Sequence, residues 1–446
     1  MKTESIRPFA MFGSEKMFYD LRMGPQMVRN GDILYIVYQA NGQEAFADPY
    51  IVTYDLAAKV WSGPFKVGEA ERYDFDHHLC PVLWFDDDGY LHVLFNCHGQ
   101  SGSHRISQRP FSADVWEDGP AIADSISYPH VFRLPGNRVC LYFRAYGHMG
   151  YWAYKLSNDG GYNWTKPVKI VDFDQDPESD QDTWAGSYHT TELDVDGHTL
   201  HVGFTYFDER GIWKFVHPRY HRMPSVNTRY HLYYLSIDLD TGIVRNMEGD
   251  VLPCPLNRRM AEGCKLWDSG DYLTMMPAML VSRTASEVSF LLPVTEETEW
   301  TCGFLYIRKV HGAWKRTRIT QTNTTWSGCR LYREADGTIV AYLIVGRADG
   351  SLYTYGAGQL ERWVSEDDGE HWVFQERYAP DAEDLYNNPI FAEDSSHSGR
   401  KDTSLVAYYG WTGPYSMQPV IDKKTDIPII NRGKAYLLHD GKYVPG

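Results

Sequence analysis

An all-β fold, a single seven-bladed β-propeller of four-stranded antiparallel blades over residues 1–446, is predicted by three features of this sequence. A turn followed by a short β-rich run recurs seven times at blade-sized intervals. A second strand-like segment stands just upstream of most of these runs. The composition is aromatic and rich in turn formers: 15% aromatic, with 32 Tyr and 14 Trp, and with 38 Gly and 23 Pro spread along the chain. A chain of this length usually splits, because one core stops growing near roughly 250–300 residues, whereas a repeat adds a core with every unit.

The runs, in order, are GDILYIVYQANG from Gly31, DGYLHVLFNCHG from Asp88, GNRVCLYFRAYG from Gly136 and DGHTLHVGFTYF from Asp196. GDYLTMMPAML from Gly270, DGTIVAYLIVGR from Asp336 and DTSLVAYYGW from Asp402 complete the set. Each joins a Gly or Asp turn to a period-2 or continuously apolar strand. The upstream segments HHLCPVLWF, SYPHVFRL, SYHTTELDV, AEGCKLW, SGCRLYR and YNNPIF supply the second inner strand of a blade. Inner strands repeating every roughly 50 to 70 residues fit seven four-stranded blades. The C-terminal run KAYLLHDGKYV is expected to join the last or first blade and close the ring.

Two outer hairpins carry the same turn, SNDGGYNW over Ser157 to Trp164 and SEDDGEHW over Ser365 to Trp372. Asp and Gly suit the tight turn, and the Trp packs between blades. This turn resembles the Asp-box, or BNR repeat, of sialidase-type propellers, with weaker copies around Trp61, Trp116 and Trp314.

A net charge of −16 excludes nucleic acid and an anionic membrane surface as partners, since both demand a basic field. An anionic polysaccharide can still be held by a local cluster of Arg and His. Seven Cys without a CxxC pair give no disulfide framework. MKTESIRPFAMF has no apolar signal core, so the protein is expected to be cytoplasmic, or secreted or periplasmic if a leader has been removed. A monomer is expected.

Functional side chains of a propeller belong at the ends of its inner strands. There the sequence places His77 and His78, then His98, then Tyr128, Arg144, Tyr146 and His148. Tyr188 and His189 open the fourth blade, and Arg229 precedes Tyr230 and His231. Histidines twenty apart at opposite ends of one strand pair meet on one rim, and a Tyr and an Arg sixteen apart occupy the same places in the next blade. Any single member of this set is more often a satisfied structural residue; the grouping is the signal. His, Tyr and Arg together suit β-elimination from a uronate. An Arg or protonated His neutralises the carboxylate, a neutral His with a pKa near ~6.5 removes the C5 proton, and a Tyr or His protonates the leaving oxygen. That sequence needs no cofactor. Hydrolysis needs a carboxylate pair, or a Tyr–Glu couple with an arginine cluster. Asp74, Asp76, Glu192 and Glu262 form no obvious pair.

From residue 73 to 164 the chain resembles the BNR-4 group of propeller polysaccharide lyases, which includes ulvan lyases and lyases acting on rhamnose–glucuronate linkages. HH followed by NCHG, SYP followed by YFRAYG, and then SNDGGYNW carry the likeness. It implies His98 as principal base, His78 and Arg144 as neutralisers of the carboxylate, and Tyr128 as acid or base. It also implies Arg229 in substrate binding, with Tyr188, His189, Tyr146 and His148 as further contacts. The segment between His98 and Tyr128 is short for an ulvan lyase, so the glycan need not be ulvan. Some relatives bind a structural Ca²⁺ or Zn²⁺; this chain has no compact ligand motif, and Cys264 with His217 or His221 is the candidate zinc set. Two alternatives stand beside the lyase. A sialidase-type exo-glycosidase needs acidic partners, and a non-catalytic sugar-binding propeller would use Trp184, Trp326 and Trp411 as platforms.

Overall fold

The computed structural model describes residues 6–13, 18–40, 48–70, 77–147, 150–173, 185–208, 217–221, 228–281, 288–298, 301–346, 358–381, 384–396, 399–412, 420–421, 428–429 and 433–446. The chain is all-β and forms two compact units. One comprises Met1–Gly147, Ala153–Val168 and Ala379–Gly446; the other comprises His148–Trp152 and Lys169–Tyr378.

In the first unit a nine-stranded sheet consists of two antiparallel meanders joined by a parallel pair, Val28 opposite Glu393 and Arg29 opposite Asp394. One meander runs Met27–Asn30, Ile33–Ala40, Asp48–Asp55, Val60–Lys66. The other runs Asp384–Asp394, Lys401–Thr412, Gly433–His439, and its outermost strand is the N-terminal Ala10–Gly13. KAYLLHDGKYV therefore joins the last meander, as expected. Val82–Phe85, Leu91–Phe95, Ser103–Ser107 and Trp116–Asp118 form the next sheet. Ile126–Leu134 and Arg138–Ala145 begin a third, to which His98–Gln100 adds at the edge.

The second unit contains three more sheets. The first is built on Ala185–Leu193, Thr199–Asp208, Arg229–Asp238 and Val244–Arg245, the second on Ala278–Val281, Val288–Thr295, Cys302–Val310 and Ala313–Thr322. The third is built on Cys329–Arg333, Ile339–Val345, Gln359–Ser365 and Val373–Tyr378. One expectation is corrected here. AEGCKLW is not the inner partner of the Gly270 run: Lys265–Trp267 pairs with Arg229–Asp238, an extra strand on the preceding sheet. The inner pair of the fifth repeat is Ala278–Val281 with Val288–Thr295. VSFLLPVT escaped the repeat pattern because SRTASE, which precedes it, lacks the Gly or Asp that opens the other runs.

The core lies between successive sheets within each unit. Val28, Tyr35 and Val37 pack against Leu83, Phe85 and Val93, while Leu232 and Tyr234 pack against Phe290 and Leu292. Inner strands such as ILYIVYQA are buried on both faces and read as unbroken apolar runs, whereas the outer AWKRTRITQT is mostly exposed. Each Leu, Phe or Val so buried contributes about 1.5–3 kcal/mol.

Both Asp-box turns close as their sequence implies. Ser157 Oγ accepts from Gly161 N at 2.9 Å, and Asp159 Oδ1 accepts from Asn163 N at 2.9 Å; Ser365 and Asp367 repeat this with Gly369 and His371. Gly369 has φ +88°, and a Cβ there would lie 2.1 Å from a Tyr306 ring carbon. Gly369→Ala is therefore expected to lower the unfolding free energy by about 1–3 kcal/mol, measured by denaturant titration.

A buried polar device recurs in two repeats. The hairpin Asp86 and the inner-strand His92 face each other at 3.6 Å, and Asp194 faces His201 at 3.5 Å. In the earlier copy His92 Nδ1 also meets His104 Nε2 at 3.0 Å, and His104 Nδ1 meets the Pro120 carbonyl at 3.0 Å. A carbonyl only accepts, so His104 carries its hydrogen on Nδ1 and takes one from His92 on Nε2.

Candidate active site

Three neighbouring strands of the first unit bring the histidine, tyrosine and arginine together. His98 opens a short strand opposite Ser127, and Ser127 is in turn opposite Arg144. Tyr128 follows Ser127 at a bulge, where the register shifts between Ser127 and His130 and φ is +53°. Pro129 comes next, has no N–H to offer the ladder, and restricts the residue before it. The bulge thus re-aims Tyr128 out of the regular alternation. The same device recurs at Asn388, φ +51°, before Pro389.

His78 arrives from a single 3-10 turn, His77–Leu79. Asn96 N donates to Leu79 O at 3.2 Å, tying that turn to the strand end that leads into His98. Asn96, with φ +60°, also donates to the Glu69 carbonyl and to Ser103 Oγ, both at 3.1 Å.

The resulting contacts are close. The His78 and His98 rings stack with centroids 4.2 Å apart at 24°. Tyr128 stands edge-on to both, at 5.7 Å from His78 and 6.4 Å from His98. The Arg144 guanidinium lies 4.7 Å from the Tyr128 ring centre and that of Arg22 lies 4.9 Å from it. Tyr128 and Arg144 are buried, while the two histidines are half-buried and open to a ligand. Tyr146 follows the Arg144 strand and is 60% exposed. Ser125 Oγ accepts from Tyr146 N at 2.8 Å and donates to Gly99 O at 3.1 Å, joining that strand end to the one bearing His98.

Sequence reasoning missed Arg22, Asp20, Asn388 and Tyr409. Arg22 Nη1 donates to the Tyr128 hydroxyl at 3.4 Å, and its other edge grips Asp20. Asn388 Nδ2 donates to the Tyr409 hydroxyl at 2.9 Å, and burial pushes that phenol well above its ordinary range. Asp20 and Arg22 lie outside the repeated runs, whereas Asn388 and Tyr409 stand within YNNPIF and DTSLVAYYGW, where the Asn388–Pro389 step matching Tyr128–Pro129 was the available signal.

Arg229, Tyr188 and His189 of the second unit are interior. Arg229 is 0% exposed, with its guanidinium 4.1 Å from the Tyr188 ring, 4.9 Å from Trp326 and 5.1 Å from Phe207. His189 stacks on Trp152 at 4.2 Å and shares a 2.8 Å hydrogen bond with Ser187 Oγ. Trp326 and Trp411 are buried side chains, not displayed platforms. His148, Trp184, Asp74 and Asp76 lie outside the described residues, as does the His77 side chain. Glu262 accepts from Tyr233 Oη at 3.2 Å and pairs with Lys265 at 2.6 Å. Among the described residues no group of three or more His, Cys, Asp and Glu is placed to hold a metal ion. His217 Nδ1 accepts from Arg219 N at 3.2 Å, and burial pushes the Cys264 thiol up to about 12. Among the described residues no helix is long and apolar enough to cross a membrane.

Known proteins carry the same arrangement of strands. The model of a BNR repeat-containing family matches residues 35–322. The chain is 27% identical over 265 residues to an ulvan lyase of Alteromonas sp. (strain LOR), covering 53% of this chain and 51% of that protein. It is 28% identical over 265 residues to Ulvan Lyase-PL25 of Pseudoalteromonas sp. (strain PLSV), with the same coverage. The chain thus spans about half the length of the curated relatives it matches. A solved PL25 ulvan lyase bound to -[GlcA(1-4)Rha3S]- superimposes with a TM-score of 0.78 at 21% identity, over 98% of this chain and 97% of that one. With the family model running from the first repeat into the fifth, the chain belongs to the BNR repeat-containing family.

Proposed function

We propose that this chain is a polysaccharide lyase, that its seven meanders are the blades of one seven-bladed β-propeller, and that it cleaves an anionic uronate-containing glycan by β-elimination. The observation that carries the reading is the stacked His78–His98 pair beside Tyr128 and Arg144. The names of the relatives support it, and the oligosaccharide held by the solved PL25 enzyme makes a glucuronate linked 1,4 to sulfated rhamnose the first substrate to try.

Arg144 and His78 draw off charge from the uronate carboxylate, which makes the C5 proton removable. Neutral His98 takes that proton. The C5–H electron pair becomes the C4–C5 double bond, the C4–O bond breaks, and the leaving oxygen takes a proton from Tyr128. Nothing is oxidised or reduced and no water is consumed. Tyr146, exposed at the same strand end, supplies a stacking face for a neighbouring sugar. A hydrolase would need carboxylates, and among the described residues Asp20 is the one carboxylate joined to this cluster, where Arg22 occupies both its oxygens.

The test is to incubate the protein with ulvan, glucuronan, gum arabic and pectin and follow the ultraviolet absorbance of the 4,5-unsaturated uronate. A rise on at least one uronate glycan is expected. Reducing ends appearing without that absorbance would replace the lyase reading by a hydrolase, and glycan binding without turnover would replace it by a sugar-binding module.

A further inference from the structure

We propose that Arg22, held by Asp20, is a positioning residue that sets the Tyr128 hydroxyl for proton transfer. The inference rests on the reading of Tyr128 as an acid–base group.

A phenol hydroxyl rotates about its C–O bond, and a proton donor is effective when that rotor points at the reacting atom. A guanidinium can only donate. With Arg22 Nη1 on the Tyr128 oxygen, one lone pair is occupied and the phenol hydrogen must point away from Arg22. Arg22 cannot swing aside. Its Nε reaches Asp20 Oδ1 at 2.9 Å and Oδ2 at 3.0 Å, its Nη2 reaches Oδ2 at 2.6 Å, and its backbone N donates to Oδ1 at 2.9 Å.

The loop bearing the pair is fastened to the bulge bearing the tyrosine. Gly24 N donates to the Pro129 carbonyl at 3.0 Å, and Val131 N returns a bond to Gly24 O at 2.7 Å. Gln26 Nε2 holds the carbonyls of Asp20 and Met23. Asp20 and Arg22 are 1% and 2% exposed. Replacing a buried ion pair by apolar side chains of the same volume is often neutral or stabilising, so stability is weak ground for keeping this one. As a pair it is close to neutral, so its effect on Tyr128 is the placement of a donor more than a field. Among the described residues Arg22, Arg144, His78 and His98 face Tyr128, and Arg22 places a hydrogen bond on its oxygen.

The experiment is a double-mutant cycle on the full chain, with lyase kinetics on whichever uronate glycan is turned over. Asp20→Leu/Arg22→Met removes both charges together, and Arg22→Lys keeps Asp20 paired in case that variant fails to fold. Either is expected to lower kcat by about 10- to 100-fold with KM changed less than about twofold. In a Tyr128→Phe background the same changes are expected to cost nothing further. Losses that multiply in that background, or a folded variant with full kcat, overturn the proposal. Full activity of Tyr128→Phe alone overturns instead the acid–base reading on which it rests.

Discussion

His98→Ala is expected to lower kcat for elimination by about 10²- to 10⁴-fold, the range associated with a positioned general base. His98 is half-buried at the start of a three-residue edge strand, and among the described residues its ring meets those of His78 and Tyr128. Little of the core depends on it, so the melting temperature should stay near that of the wild type. His98→Gln, which can still hydrogen bond through an atom near Nε2 but cannot take up a proton at neutral pH, should be nearly as inactive. His78→Ala should remove the stacking partner, and the double variant should be little worse than His98→Ala, because residues that act as a unit are non-additive. Continuous assays of the four variants with parallel thermal melts decide the matter. Retention of more than about a tenth of the activity by His98→Ala would exclude it as the principal base.

The second large effect is on stability in acid. Burial pushes the His104 imidazole down to about 3, and burial also lowers His92 despite Asp86 beside it. Both folded values lie below the ordinary value of 6.5. Between pH 6.5 and about 3 the unfolded chain therefore binds protons at His104 that the folded chain refuses, and stability falls as pH falls through that window. Asp86, whose carboxyl is held low, adds a loss of the same sign at still lower pH. His104 by itself is worth at most about 5 kcal/mol across the window at roughly 1.4 kcal/mol per unit. The expected result is a steep decline of the denaturant midpoint from pH 7 to pH 4. His104→Asn, whose side-chain amide can still donate to the Pro120 carbonyl, should flatten that decline. An unchanged slope in His104→Asn would place the acid lability elsewhere.

Much of the strand order was legible in the sequence because each repeat writes its inner strand as an apolar run after a turn. GNRVCLYFRAYG and DGTIVAYLIVGR both became the strands their patterns require, at Arg138–Ala145 and Ile339–Val345. The pattern failed at VSFLLPVT, where the turn signal is missing, and at AEGCKLW, whose three-residue strand joins a neighbour by hydrogen bonds that no local pattern records. The site divides in the same way. His78, His98, Tyr128 and Arg144 could be named in advance because they stand at the ends of periodic strands, and the family likeness fell on those residues.

What the sequence by itself determined is the all-β character, the repeated hairpins with their Asp-box turns, and the strand ends at which His98, Tyr128 and Arg144 stand. The physical reason is that turn formers and apolar periodicity act over a few residues. Only the tertiary structure decided that Asp20 and Arg22 stand beneath Tyr128, that Arg229, Tyr188 and His189 are enclosed in the interior, and that His92 and His104 form one buried relay. Those outcomes depend on contacts between residues as much as 106 positions apart, set by how strands and loops pack and by which polar groups lose water, and short-range pattern carries no record of either.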